Sequence, residues 1–369
     1  MASETSLNEC VRSMTHVPST RSFVVALALA ICSVSCDVEV DEQKPNIVII
    51  VADDLGWKDV GYHDGSIATP NLDRLAAEGV QLENWHVAPL CSPTRAGLMT
   101  GRWPIRYGMG ESVITPWRQW GLPTTERTIA DLLAVAGYER RGMVGKWHIG
   151  HHKQELLPLN RGFTSFYGHY NGALDYFTHQ REGELDWHRN LETSHDEGYS
   201  TDLIGREAAS FIDESLADKP FFLYVAFNAP HSPMQAQAAD LAKYANVDEE
   251  NRRIYSAMVD SMDQAIGVVL EALEKKKIAD NTFVLFFSDN GAMSWGNNEP
   301  WRSGKGSVYE GGVRTPAMVR WPAGGLSGGG KVDGMMGMID VYPTIKRLAG
   351  VTSEDPNQID GIDVLDVMQ

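Results

Sequence analysis

The chain has 369 residues, enough for one large α/β domain or two ordinary ones, and 43% of them are hydrophobic, ample for a core. Its formal net charge is −17, with 49 acidic residues scattered among 32 basic ones. Such a surface argues against nucleic acid or an anionic membrane as a general partner, so any anionic ligand needs a local basic cluster.

In chain order, residues 1–35 read as a signal peptide. Arg12 and Arg21 precede the apolar run FVVALALAIC from Phe23 to Cys32, which is too short for a transmembrane span. Ser33 and Ser35 suit a cleavage site, so export to the periplasm or the exterior is expected. A buried N-terminal helix is the bland alternative. Cys36 could instead be a lipidated first residue, although Ser33 and Val34 fit the lipoprotein pattern poorly. Cleavage near residue 35 removes Cys10 and Cys32, leaves Cys91 alone within the body, and leaves no disulfide framework.

NIVIIVADD (46–54) is a β-branched run expected of a strand buried on both faces. TPNLDRLAAEG (69–79) has a Thr cap, a Pro and a closing Gly, so it predicts a short helix, and TTERTIADLLAVAG (124–137) repeats that form. ERRGMVGKWHIG then predicts a strand ending near Gly145. The pattern recurs: a helix over 199–215, a strand ending near Phe227, a long amphipathic helix over 251–277, then the strand of NTFVLFFSDNG. A last strand near 313–321 precedes the helix of MIDVYPTIKRLAG. Strands alternating with helices imply an α/β fold with a mostly parallel sheet sandwiched between helices. Leu156 to Tyr199 shows no period and reads as a long functional loop region, and GGLSGGGK (324–331) as a loose surface loop.

The strand ends carry most of the chemical information. One strand ends in Asp53-Asp54, the next in Lys146-Trp147-His148, the third leads to Pro230-His231, and the fourth to Asp289-Asn290. In open parallel sheets, ligands bind beyond the carboxyl ends of the strands. Any one of these pairs reads as turn chemistry; four together do not. Asp53, Asp54, Asp289 and Asn290 offer hard oxygen ligands suited to Ca²⁺ or Mg²⁺ rather than zinc. Within APLCSPTRAGLMTGR (88–102), Ser92 reads as a helix cap and Pro93 as a first helical residue. That places Cys91 at the positive end of a helix, with Arg95 in the first turn and Lys146 and Lys305 as further cations. The set suits a small tetrahedral anion.

These residues resemble the type I sulfatases. CSPTR matches the family's C-x-P-x-R signature, and VADDLGWKDVGYH, TPNLDRLAAEGV, GKWHIG, APHSP, FSDNG and EGGVRTP occur in family order between about Pro45 and Asp366. The wording is nearest the arylsulfatase B, or N-acetylgalactosamine-4-sulfatase, branch. The resemblance implies an alkaline-phosphatase-like fold, a catalytic domain over 45–369, and conversion of Cys91 to Cα-formylglycine by a formylglycine-generating maturation enzyme. It further implies Ca²⁺ bound by Asp53, Asp54, Asp289, Asn290 and residue 91, with Arg95 holding the hydrated aldehyde. Lys146, His148, His231 and Lys305 would surround the sulfate of a sulfated carbohydrate or aryl sulfate. His231 and Lys305 are then the candidates to protonate the leaving alcohol, Asp289 a candidate base for the attack, and His148 the base that lets sulfate leave. The family usually continues past DGIDVLD into a smaller C-terminal subdomain, so the chain is expected to be C-terminally short. Two other readings stay open: a phosphonate or phosphate monoester hydrolase of the same superfamily, and an inactive sulfate-binding protein.

Overall fold

The Asn46–Ala52 strand is buried at every position, and its alternate side chains feed two separate cores. Ile47, Ile49 and Val51 face one layer; Val48, Ile50 and Ala52 face the other. This is the two-sided burial that a continuous β-branched run demands. The structure is a computed structural model that describes residues 44–369, all within one unit, Gln43–Gln369. The signal peptide expected over 1–35, and Cys36, lie outside the described residues. Among the described residues no helix is long and apolar enough to cross a membrane.

Ten strands form the main sheet among the described residues. Its centre is five adjacent parallel strands in the order Thr282–Ser288, Asn46–Ala52, Phe221–Ala226, Arg140–Lys146 and Ser165–His169. The flanks turn antiparallel: Ala317–Arg320 and then Val80–Leu82 on one side, His188–Arg189 and then Glu192–Thr193 on the other. Helices Cys91–Thr100, Ile129–Val135 and Val341–Leu348 cover one face, burying Leu98, Met99, Leu132, Leu133 and Ile345. Helices Pro70–Glu78, Ser200–Glu214 and Glu250–Lys275 cover the other with Leu72, Ile204, Ile212, Met258 and Val269. The expected helix–sheet–helix architecture is the one observed.

Local expectations need four corrections. The 156–199 segment is not plain loop: it supplies the Ser165–His169 strand and two edge strands of only two residues, too short to show a period. Gly330 and Lys331, expected in a surface loop, pair with Val80 and Gln81 as an edge strand. The second helix starts at Ile129, not 124, because Thr128 and Asp131 form a reciprocal capping box there. Thr69 makes no cap hydrogen bond; its hydroxyl accepts from the Gly61 amide and donates to Asp73 instead.

Candidate active site

The register of the central strands sets the site. Ala52 pairs with Ser288, Val51 with Ala226, and Ala226 with Gly145, so the residues just past these positions emerge side by side from one edge. Asp53-Asp54, Asp289-Asn290, Lys146-Trp147-His148 and His231 therefore share one rim. Gly145 permits this: its φ is +103°, and a Cβ there would lie 1.9 Å from the Ala226 carbonyl oxygen. Asp54 and His148 both take left-handed φ values, 70° and 57°. Non-glycine residues adopt that conformation at a cost of about 1–2 kcal/mol each, and it persists where surrounding contacts enforce it.

Helix Cys91–Thr100 is buried along its whole length and brings Cys91 and Arg95 to the same rim. Its N-cap is Leu90, so Cys91 is already helical and Ser92 is not the cap. The Ser92 hydroxyl instead donates to the His148 carbonyl oxygen at 2.8 Å and accepts from the Ile114 amide at 3.0 Å. The Ile114 carbonyl in turn lies 3.0 Å from Nε2 of His148. A ring nitrogen facing a carbonyl must carry the proton, so Nδ1 of His148 is the lone-pair nitrogen, and it is buried without a partner. Burial, then the charges of Lys146 and Arg95, hold this imidazole well below its ordinary pKa, and it is neutral. Gly172 packs against the ring: a Cβ there would sit 2.4 Å from Cε1 and Nε2. Ser92, Ile114 and Gly172 thus position His148, and the sequence carries no signal for any of them.

Ser92→Ala would leave the Ile114 amide and the His148 carbonyl unpaired in a fully buried place. The expected loss is about 1–3 kcal/mol of stability, read as a lower urea midpoint at unchanged slope.

Charge is arranged in pairs. Arg95 donates Nε and Nη2 to Oδ2 of Asp289 at 3.0 and 2.8 Å, and Nη1 to the Lys146 carbonyl at 3.0 Å. Lys146 bonds Oδ2 of Asp53. Oδ1 of Asp54 accepts from both Lys305 Nζ and Asn290 Nδ2, each at 2.6 Å. His231 Nε2 lies 3.9 Å from Oδ2 of Asp54, while its Nδ1 is 2.6 Å from the Ser232 carbonyl and so carries the ring proton. Burial alone would raise the Asp53 carboxyl, yet Lys146, His231 and Arg95 hold it well below the usual range. Burial and the neighbouring Asp53 charge push Asp289 the other way, up to about 7. Burial pushes the Cys91 thiol up to about 12, so as a thiol it stays protonated. Burial lowers the His231 imidazole, and only partly do Asp54 and Asp53 offset it.

The pairing leaves three buried oxygens with no donor: Oδ1 of Asp53, Oδ2 of Asp54 and Oδ1 of Asn290. Asp53, Asp54, Cys91 and His231 each present a ligand atom within 4.8 Å of the others. That group, with an orphaned oxygen on each of its two carboxylates, fits a hard cation, because a buried oxygen left without a partner is costly. Asp289 stands apart from that four-residue group, its Oδ2 taken by Arg95.

A cleft of about 610 Å³ opens at this rim, and its lining includes Cys91, His148, His231 and Lys305 together with Ile114, Pro116, Leu174 and Arg181. A profile of the sulfatase family matches residues 45–351. The chain belongs to the sulfatase family. It is 37% identical over 332 residues to arylsulfatase J of Mus musculus, covering 87% of this chain and 55% of that protein. It is 38% identical over 353 residues to human N-acetylgalactosamine-6-sulfatase, covering 88% of this chain and 65% of that one. Among solved structures it resembles Ps i-CgsB in complex with k-i-k-neocarrahexaose, at 37% identity and TM-score 0.83, over 88% of this chain and 76% of that one. The chain thus spans roughly half to two-thirds of the length of these curated sulfatases.

Of the aromatic residues that a sugar could stack on, Trp187 is buried core and Trp117 stands 70% exposed, next to cleft residue Pro116. His151 spends Nε2 on the Pro116 carbonyl, while His152 and Lys153 are exposed.

Proposed function

We propose that this sulfatase hydrolyses sulfate monoesters, on a sulfated sugar in nature and on aryl sulfates in the assay, after export from the cell. The observation that carries the reading is that Cys91, His148, His231 and Lys305 line one open cleft, while Asp53, Asp54 and Asn290 at the same strand ends keep buried oxygens without a donor. Residue 91, matured to Cα-formylglycine by a formylglycine-generating enzyme, supplies a hydrated aldehyde as nucleophile. Asp53, Asp54, Asp289 and Asn290 would hold Ca²⁺, which supplies Lewis-acid polarisation and charge neutralisation.

The chain's own residues take the remaining roles. Arg95 fixes Asp289 and offsets its charge through two hydrogen bonds to Oδ2. Lys146 and Lys305 bring positive charge to a −17 protein where the tetrahedral anion must sit. Burial alone would lower the Lys305 ammonium, but the negative charge beside it, that of the Asp54 and Asp53 carboxylates included, holds it well above its ordinary pKa. Lys305 therefore keeps its proton and can hand it to a departing alkoxide, whereas His231 has its Nδ1–H committed to Ser232. His148, neutral with Nδ1 free and Nε2–H anchored, is built to accept a proton.

Paired assays decide the reaction class. The matured protein should turn over nitrophenyl sulfate far faster than nitrophenyl phosphate or phenylphosphonate esters; the reverse order would favour the phosphonate or phosphate monoesterase reading. The cation is tested without turnover. Ca²⁺ added to chelator-stripped protein should raise Tm by mass action, and Asp54→Ala should abolish that shift. An identical Ca²⁺ response in the variant would remove Asp54 from the site.

A further inference from the structure

Resting on that reading, the wall of the cleft bears on what else of the substrate is recognised. A short hairpin, Gln180–Arg181 paired with Glu184–Leu185, forms part of the wall. Most charges along the cleft are already committed. Asp175 accepts from the amides of Phe177 and Thr178 at 3.0 and 2.7 Å, and from Gln235 Nε2 at 2.5 Å. Lys305 is bound to Asp54. Arg181 differs: among the described residues its ion pair is with neighbouring Glu182 at 3.4 Å, and Glu182 is 60% exposed. Its Nε is buried and has no partner.

The hairpin has a defined shape. Glu182 and Gly183, at φ of 53° and 87°, form its two-residue turn, whose left-handed conformation matches the strand twist, and His179 ahead of it lies at 58°. His179 is clamped there. Its amide donates to the Asp175 carbonyl, its Nε2 meets the Gly198 carbonyl at 3.0 Å, and its ring stacks on Trp187 at 4.6 Å. A guanidinium set on a rigid support loses little freedom when it binds, and its planar fork matches a carboxylate or a sulfate.

We propose that Arg181 is a specificity residue that grips a second anionic group of the sugar, beyond the ester being cleaved. The substrate class is then a multiply anionic saccharide, carrying a further sulfate or a carboxylate, rather than a neutral sugar bearing one sulfate. On a protein of net charge −17, a doubly charged ligand needs that second cation to overcome repulsion. Glu182 competes for the guanidinium in the empty cleft and yields it to the ligand.

The test uses the matured full chain with Ca²⁺ and three disaccharides: disulfated, monosulfated with a uronate, and monosulfated but neutral. Arg181→Ala should lose about 10- to 100-fold in kcat/KM, mostly through KM, on a doubly anionic substrate, the scale of a charged hydrogen bond. The loss on the neutral one should be at least about tenfold smaller, and whichever doubly anionic substrate shows the dependence names the second anion. Glu182→Gln should act in the opposite sense and lower KM for that substrate, which a merely structural role for the pair would not produce. Equal losses on all three substrates, or no gain with Glu182→Gln, would overturn the proposal. Calorimetric binding of both doubly anionic disaccharides to wild type and Arg181→Ala separates this from the parent reading. Affinity lost with Arg181 for either one in a protein that turns over no sulfate ester overturns the parent reading alone; equal affinities for both overturn this one.

Discussion

Cys91→Ala should lose at least about 10⁴-fold in sulfate release on every substrate while folding as the wild type does, since removing a covalent nucleophile acts on that scale. The position makes the experiment clean. Cys91 is the first residue of a buried helix, alanine is a strong helix former, and the thiol takes part in no hydrogen bond among the described residues. The measurement is sulfate release beside a melting curve. A variant that melts normally and keeps more than a few per cent of turnover would place the nucleophile elsewhere.

The second large effect is selective. Nitrophenolate leaves without a proton, whereas a sugar alkoxide is far more basic and needs one. Losing a general acid costs about 10²- to 10⁴-fold when the proton is required. Lys305→Ala should approach that loss on a sugar sulfate and lose much less on nitrophenyl sulfate. His231→Ala should show the same selectivity to a smaller degree, because its ring proton is spent on the Ser232 carbonyl. His148→Ala should fall on both substrates alike, since its step comes after departure of the alcohol. Equal losses for all three variants on both substrates would mean these roles are wrongly assigned.

The frame of this site is readable in the sequence because its strands are long, buried and β-branched. NIVIIVADD and NTFVLFFSDNG announce both a two-faced strand and the oxygens at its end, and the structure sets them next to each other in register. Placement on the rim is legible; pairing is not. Motif position points Arg95 at residue 91, yet its guanidinium lies on Asp289, 194 residues away. Ser92 reads as a cap because serine before proline is a common helix start, but its hydroxyl is drawn to Ile114 and His148, partners visible only once the sheet is assembled. Gly172 and Arg181 sit in a stretch whose strands are two to five residues long, where no period can declare itself. The recognition surface is thus the part least open to sequence reasoning.

The central claim is that residue 91 acts as a formylglycine and not as a thiol. The direct measurement is the mass of the tryptic peptide that holds position 91, taken on samples produced with and without a formylglycine-generating enzyme and compared with their turnover of nitrophenyl sulfate. The expected peptide is lighter than encoded and reactive toward hydrazides, with turnover proportional to its fraction. Full activity in a sample whose peptide carries only the unmodified cysteine would contradict the claim.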